Sequence, residues 1–236
     1  MSHEAKIHEA QTKILRELLF LPNANFAALQ KVTDLESDHA KFHIKRLVEL
    51  EYLSHKNGAY SLSIKGKEYA NKLDTDTNTI ERQPKSACAM MLYDKKTKKY
   101  LIQKRLKNPY FGFLGFFSGK IRWGEPIIET AVRETKEETN FDTKSEDWEH
   151  RGILHDIIRD SKTGEIIEDK IFHMMYTDKF SGELVDKFEG GENFWMTLDE
   201  VRQNPKHYKD LEYVALATRG NIGFVELQQE YSEEEF

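Results

Sequence analysis

The sequence predicts an α/β sandwich preceded by a small, mostly helical domain, and three observations carry that reading. Residues 5–73 show helix-period apolar spacing and then one hairpin signal. Residues 74–84 show no period, and residues 85–236 set strand patterns on both sides of one well-marked helix. With 236 residues, 39% of them hydrophobic, the chain has material for two cores.

Taken in order, "QTKILRELLFL" puts Ile14, Leu15, Leu18, Leu19 and Leu21 on one helix face, and Pro22-Asn23 ends it. "FAALQKVTDL" supports a short second helix. Ser37 and Asp38 are expected to cap a third segment, "HAKFHIKRLVELEYL", with an apolar stripe of Phe42, Ile44, Leu47, Val48 and Leu50. Lys41, His43, Lys45 and Arg46 fall largely off that stripe. In "YLSHKNGAYSLSI" two alternating strands flank Asn57-Gly58, a hairpin signal, and "KGKEYANKL" returns to helix.

This order and these segment lengths resemble a winged helix-turn-helix domain, here over residues 1–73. The resemblance implies a third helix in a DNA major groove and a wing on the backbone. Lys41, His43, Lys45 and Arg46 would then lie against DNA, with His55 and Lys56 beside a phosphate. Two other readings stay open: the cations are the wet face of a small domain that also carries Glu36, Asp38, Glu49 and Glu51, or the domain is a docking or homodimerisation module.

"DTDTNTIERQP", residues 74–84, reads as an inter-domain linker. Residues 85–236 open with "SACAMMLYDKKTKKYLIQKR", two strands around a lysine-rich turn. The loop "NPYFGFLGFFSGK" follows; its aromatics from Tyr110 to Phe117 either stack on a base or, for most of them, pack over the sheet. "WEHRGILHDIIRD", "EIIEDKIFHMMYTD" and "ENFWMT" read as strands, and "LDEVRQN" and "LEYVALAT" as short helices.

Composition excludes several classes of function. A net charge of −6 argues against a protein that coats nucleic acid over its whole surface, although a local patch is compatible with it. No apolar run approaches the roughly 20 residues that span a bilayer, and "MSHEAKIHEA" lacks a basic segment followed by an apolar one. A soluble cytoplasmic protein with no membrane partner is expected. The single cysteine, Cys88, lies in an apolar run and reads as a buried, inert thiol. His155 and His173 sit in strand patterns without partners at ligand spacing, so structural roles are expected.

The stretch "GKIRWGEPIIETAVRETKEETNF", Gly119–Phe141, concentrates the chemistry. On a helix starting near Pro126, Glu134, Glu137 and Glu138 share one face, where like charges raise one another's proton affinity. Arg133 can pair with Glu137 four residues on. A hard divalent cation would offset the remaining charge, because Mg²⁺ takes carboxylate oxygens and shares its coordination with phosphates.

Gly119, five residues, Glu125, seven residues, then Arg133, Glu134 and Glu137-Glu138 resemble the Nudix box, G-x5-E-x7-R-E-U-x-E-E-x-G-U, with U a bulky apolar residue. All six charged or glycine positions before the closing pair match. At average residue usage that coincidence has odds on the order of 10⁻⁵, which decides against a merely solvated acidic face. Thr135 departs from the apolar position and Asn140 from the closing glycine, which it can replace as a left-handed C-cap. Phe117-Ser118 stands where many members have Pro-Gly.

The resemblance extends over residues 85–222 and implies a Nudix α/β/α sandwich that binds Mg²⁺ or Mn²⁺ and cleaves a diphosphate bond in a nucleoside diphosphate linked to another group. Carried over residue by residue, Glu137, Glu138 and Glu134 would be metal ligands with the Gly119 carbonyl. Glu134 or Glu137 would serve catalysis, Arg133 would orient it, and Glu125 would be an outer partner of the metal shell. Arg105, Phe117 and Lys120 are the expected contacts to a nucleotide-derived substrate, and Glu189 or Glu192 an alternative base from a late loop. The competing expectation is a transcriptional regulator whose Nudix fold senses a nucleotide while the winged helix holds DNA.

Overall fold

The computed structural model describes residues 7–236, and residues 1–6 of the expected winged domain lie outside the described residues. The chain forms two compact units that divide between Arg82 and Gln83.

In the first unit, α1 (Glu9–Phe20) begins at a capping box, where His8 Nδ1 accepts from Ala10 N at 3.1 Å and Gln11 Oε1 accepts from His8 N at 2.9 Å. α2 (Phe26–Thr33) is capped by Asn25, and α3 spans Ser37–Glu49. Ser37 and Asp38 were expected at the cap of α3 but lie within it; Glu36 holds the cap position without a side-chain hydrogen bond. The buried stripe of α3 is Ala40, Ile44 and Leu47, spaced four and three residues apart. Phe42 is not part of it and stands 65% exposed, a correction that follows from its offset of two residues from Ile44.

β1 (Ala24–Asn25), β2 (Leu53–Lys56) and β3 (Ala59–Leu62) form a sheet in the order β1-β3-β2. Asn57 and Gly58 both take positive φ at the β2–β3 turn, the conformation their sequence favours. α4 (Ile64–Ala70) closes a core of Ile14, Leu15, Leu18, Leu29, Ile44, Leu47 and Tyr52. Three helices followed by a hairpin wing make this a winged helix-turn-helix arrangement. Residues 74–82 are ordered within the unit: Asp74 accepts from the Asp76 and Thr77 amides at 2.8 Å, and Leu73 bridges to Ile80.

The second unit is built on a mixed sheet of β4 (Lys85–Asp94), β5 (Lys99–Arg105), β6 (Leu114–Gly115), β7 (Phe117–Lys120), β8 (Glu149–Asp160), β9 (Ile166–Thr177), β10 (Lys187–Phe188), β11 (Gly191–Met196) and β12 (Phe224–Tyr231). The order is β10-β11-β5-β4-β9-β8-β12, with β4–β9 and β8–β12 parallel. α5 (Ile127–Thr139) covers one face over Cys88, Met90, Leu92 and Phe117. α7 (Leu211–Ala217) covers the other over Ala89, Met91, Leu154 and Met174, and α6 (Leu198–Arg202) packs Val201 on Ile102. The result is the α/β/α sandwich expected from the sequence. Strand β12 was not anticipated, nor were β6 and β7 within the aromatic loop.

One irregularity positions the site. β4 and β5 pair only at Tyr93–Tyr100 and Asp94–Lys99 and then diverge. β6 continues the pairing with β5 and β7 with β4, so the sheet splits and a cavity opens at the split. Among the described residues no helix is long and apolar enough to cross a membrane.

Candidate active site

Gly119, on β7, and the carboxylates of α5 meet at the mouth of that split. A Cβ on Gly119 would lie 2.0 Å from Cγ and Cδ of Glu134, so only glycine lets the Glu134 side chain lie across the strand. Asn140 ends α5 with φ 64°, the left-handed cap expected in place of glycine. Thr135, the other departure, is fully buried and its hydroxyl has no hydrogen-bond partner among the described residues.

Arg133 organises the acids. Its Nε and Nη2 donate to the two oxygens of Glu125 at 2.6 and 2.9 Å, and its Nη1 donates to Glu134 at 2.6 Å and to Glu137 at 3.1 Å. Nη2 also donates to the Lys120 carbonyl at 3.2 Å. Glu125 accepts in addition from Thr130 Oγ1 and from the Arg122 amide. The hydrogen bonds from Arg133, ahead of those from Arg122 and Thr130, hold the Glu125 carboxyl down at about 2. Arg122 reaches Glu137 from the other side, Nη2 to Oε1 at 3.2 Å.

Glu138 faces away from this network. Burial, and then the charge of Glu134, raises its pKa. The hydrogen bond it accepts comes from a neutral amide, Gln103 Nε2 at 3.0 Å. Gln103 donates also to Asn193, and Asn193 Nδ2 donates to the Glu138 carbonyl at 2.8 Å, tying β5 and β11 to the end of α5. Neither amide carries a signal in the sequence, because the two strands become neighbours only through the sheet order.

Glu138 lines the cavity, together with Arg105, Lys107, Lys170, Phe117 and Asp210. Of the three expected substrate contacts, Arg105 and Phe117 border the cavity, while Lys120 is exposed outside it. Phe117 is otherwise a core residue under α5, and Tyr110 and Phe113 are buried with it, so most of the aromatic loop packs. Phe111 alone is largely exposed. At the far end, burial pushes the Asp210 carboxyl up to about 7, with the nearby Asp156 adding to the shift and Lys170 opposing it. Glu192 pairs with Lys104 in register, one step off the Gln103–Asn193 pair, and strand alternation turns it from the face that α5 covers.

The remaining expected residues fall elsewhere. Lys41, Lys45 and Arg46 are exposed on α3 and Lys56 on the wing, while His43 is half-buried, stacked on His8, its Nδ1 without a hydrogen-bond partner among the described residues. Lys45 and Arg46 both pair with Glu49, at 3.9 and 3.2 Å. Cys88 is fully buried, its thiol pushed up to about 12 by burial, as expected of an inert group. His155 and His173 make cross-strand hydrogen bonds, and among the described residues neither belongs to a group that could hold a metal ion, in keeping with the structural roles expected of them. His155 lies between Asp169 and Glu226 at 2.9 and 3.0 Å, and His173 faces His150 at 3.2 Å, contacts made across strands.

The donor set fits a hard divalent cation. Every side-chain donor is a carboxylate oxygen, and Glu138 is a half-buried acid whose hydrogen-bond partner is neutral. Among the described residues no three acidic, histidine or cysteine side chains already converge on one point, since Arg133 holds oxygens of both Glu134 and Glu137.

Comparison with known proteins agrees with this geometry. A family model for the NUDIX domain matches residues 82–216. Among solved structures, the MutT protein of Bacillus halodurans superposes with a TM-score of 0.51 at 22% identity, over 64% of this chain and 93% of that one. A MutT NUDIX hydrolase of Burkholderia pseudomallei gives 0.48 at 23%, over 58% and 98%. The NUDIX domain of NrtR from Shewanella oneidensis, solved with ADP ribose, gives 0.49 at 17%, over 64% and 94%. No curated protein matches the chain by sequence.

Proposed function

The chain belongs to the Nudix family, and we propose that it is a metal-dependent hydrolase that cleaves the diphosphate of a nucleoside diphosphate linked to a second group. The observation that supports this reading is the gathering of Glu125, Glu134 and Glu137 around Arg133, with Gly119 against Glu134, while the next acid of the same helix, Glu138, lines a cavity with basic walls.

Glu134, Glu137 and Glu138, with the Gly119 carbonyl, would hold Mg²⁺ or Mn²⁺. The ion would supply charge neutralisation for the diphosphate and an acidified water. The chain's own residues do the rest. Arg105, Lys107 and Lys170 make the cavity attractive to phosphate oxygens, and the flat face of Phe117 borders it. Glu125 fixes Arg133 through a bidentate pair, and Arg133 in turn fixes the rotamer of Glu134, which is poised to take a proton from an attacking water. Release of nucleoside monophosphate or phosphate from a panel of nucleotides with Mg²⁺ tests the reading. Turnover that is independent of the metal, or unchanged in both Glu137→Gln and Glu138→Gln, overturns it.

A second reading, a nucleotide-responsive DNA-binding regulator, is favoured by the exposed cations on α3 and on the wing. The two readings are compatible in one chain. Selection from a random duplex pool decides the second one.

A further inference from the structure

The three acids proposed to hold a cation are supported in two different ways. Arg133 donates to Glu134 at 2.6 Å and to Glu137 at 3.1 Å, and a guanidinium that orients a carboxylate also offsets part of its charge. Glu138 is aimed by a neutral group instead. Gln103 Nε2 donates to Glu138 Oε2 at 3.0 Å.

The sheet places this amide. On β5, Leu101 joins the core under α5 and Ile102 the core under α6, so strand alternation turns Gln103 back to the α5 face. Asn193 stands opposite it in register, and Gln103 Nε2 donates to Asn193 Oδ1 at 3.3 Å, which gives both N–H groups of the amide an acceptor. Asn193 is itself fixed. It is buried, and its Nδ2 donates to the Glu138 carbonyl at 2.8 Å and to the Val185 carbonyl at 2.9 Å. Against the stem of Gln103 lies Gly191, where a Cβ would fall 2.7 Å from Cδ and 2.8 Å from Cγ of the glutamine. A strand glycine here gives the side chain its seat.

A donor without charge orients a carboxylate and leaves its negative charge whole for a cation. We infer that Gln103, seated by Gly191 and tied by Asn193, is a positioning residue that sets the affinity of the site for its divalent ion through Glu138. Outer hydrogen bonds of this kind typically change metal affinity by about 10- to 100-fold. The inference rests on the proposed hydrolase reading and deepens it.

Mn²⁺ binding to the full chain without nucleotide, read by electron paramagnetic resonance, tests it apart from turnover. Gln103→Met keeps the length of the side chain and removes the donor, so the Kd for Mn²⁺ should rise about tenfold. Gly191→Ala keeps every polar group and displaces the seat, and should raise the Kd by a similar factor; it decides the question if melting curves show that Gln103→Met does not fold. Added to Glu138→Gln, Gln103→Met should weaken binding no further, because the acid it positions is gone. In hydrolysis, the Mg²⁺ concentration for half-maximal rate should rise about tenfold in Gln103→Met, while the rate at saturating Mg²⁺ falls by less than about threefold.

A Kd that stays within about twofold of wild type in Gln103→Met, while Glu138→Gln binds weakly, overturns the inference and leaves the hydrolase reading standing. An equal loss with Glu138 already replaced gives Gln103 a structural role only, and overturns it as well. Glu138→Gln binding Mn²⁺ as tightly as wild type removes the metal role of that acid and this inference with it.

Discussion

Glu138 is the acid whose ionised form the fold supports least, since its partner is an amide and Arg133 serves its neighbours. Glu138→Gln keeps the shape and an acceptor for Gln103, so hydrolysis should fall at least about 100-fold while the unfolding midpoint holds or rises slightly. Thermal melts beside steady-state rates check both halves. Gly119→Ala should be as damaging to turnover from the opposite direction, by driving a methyl into Glu134. Asp210 offers a pH signature. Its pKa rises from 3.8 to about 7 on folding, so the native state holds a proton that the unfolded chain has lost, and stability declines as pH rises from about 4 to about 7. Asp210→Asn removes that decline. With part of the penalty screened by its partial exposure, the variant should gain about 2 kcal/mol over wild type at pH 8 and much less at pH 5, measured by urea unfolding. At this scale the sequence showed the acids and hid their supports. Glu134, Glu137 and Glu138 are legible because one helix repeats them at fixed spacing. Gln103, Asn193 and Asp210 are ordinary polar residues until the sheet gathers them.

Among the elements, α5 carried the strongest local information, and its end illustrates why. Asn140 replaces the motif's glycine at a left-handed position, where a short polar side chain is tolerated and a methyl is not. Asn140→Gly should therefore be neutral or slightly stabilising and Asn140→Ala should cost about 1 kcal/mol, distinguishable by denaturant midpoints. Elements escaped prediction where burial was not written as a simple pattern. β12 alternates exposed with half-buried residues until the buried Tyr231 at its end, so "FVELQQEY" reads as a polar tail. β6 and β7 are two and four residues long inside a glycine- and aromatic-rich segment, too short for any period to register. The stripe failed only at Phe42, for a related reason: α3 is covered on one side, where Ala40, Ile44 and Leu47 are buried and Val48 packs at the edge, with Leu50 beside it.

For the molecule as a whole, the two-unit organisation joins a Nudix sandwich to a winged helix, and the second unit's fold was readable because its motif is contiguous. What the first unit does depends on a small balance of charge. Glu49 holds both Lys45 and Arg46, two of the cations that a phosphate would need. Lys45→Ala with Arg46→Ala should abolish any motif enriched from a random duplex pool. Glu49→Gln should tighten binding and steepen its dependence on salt, since each additional phosphate neutralised changes the log–log slope by about −0.9. Duplex binding at two salt concentrations reads both effects. The parallel pairing of β12 with β8 bears on how the protein is made. β8 is synthesised midway through the second unit, and its outer edge is satisfied only by residues 224–231. Until those have left the ribosome, a twelve-residue strand carrying Ile153, Ile157 and Ile158 presents unpaired amides and carbonyls to its surroundings. Nascent chains stalled between β9 and β12 are therefore the ones most in need of a chaperone.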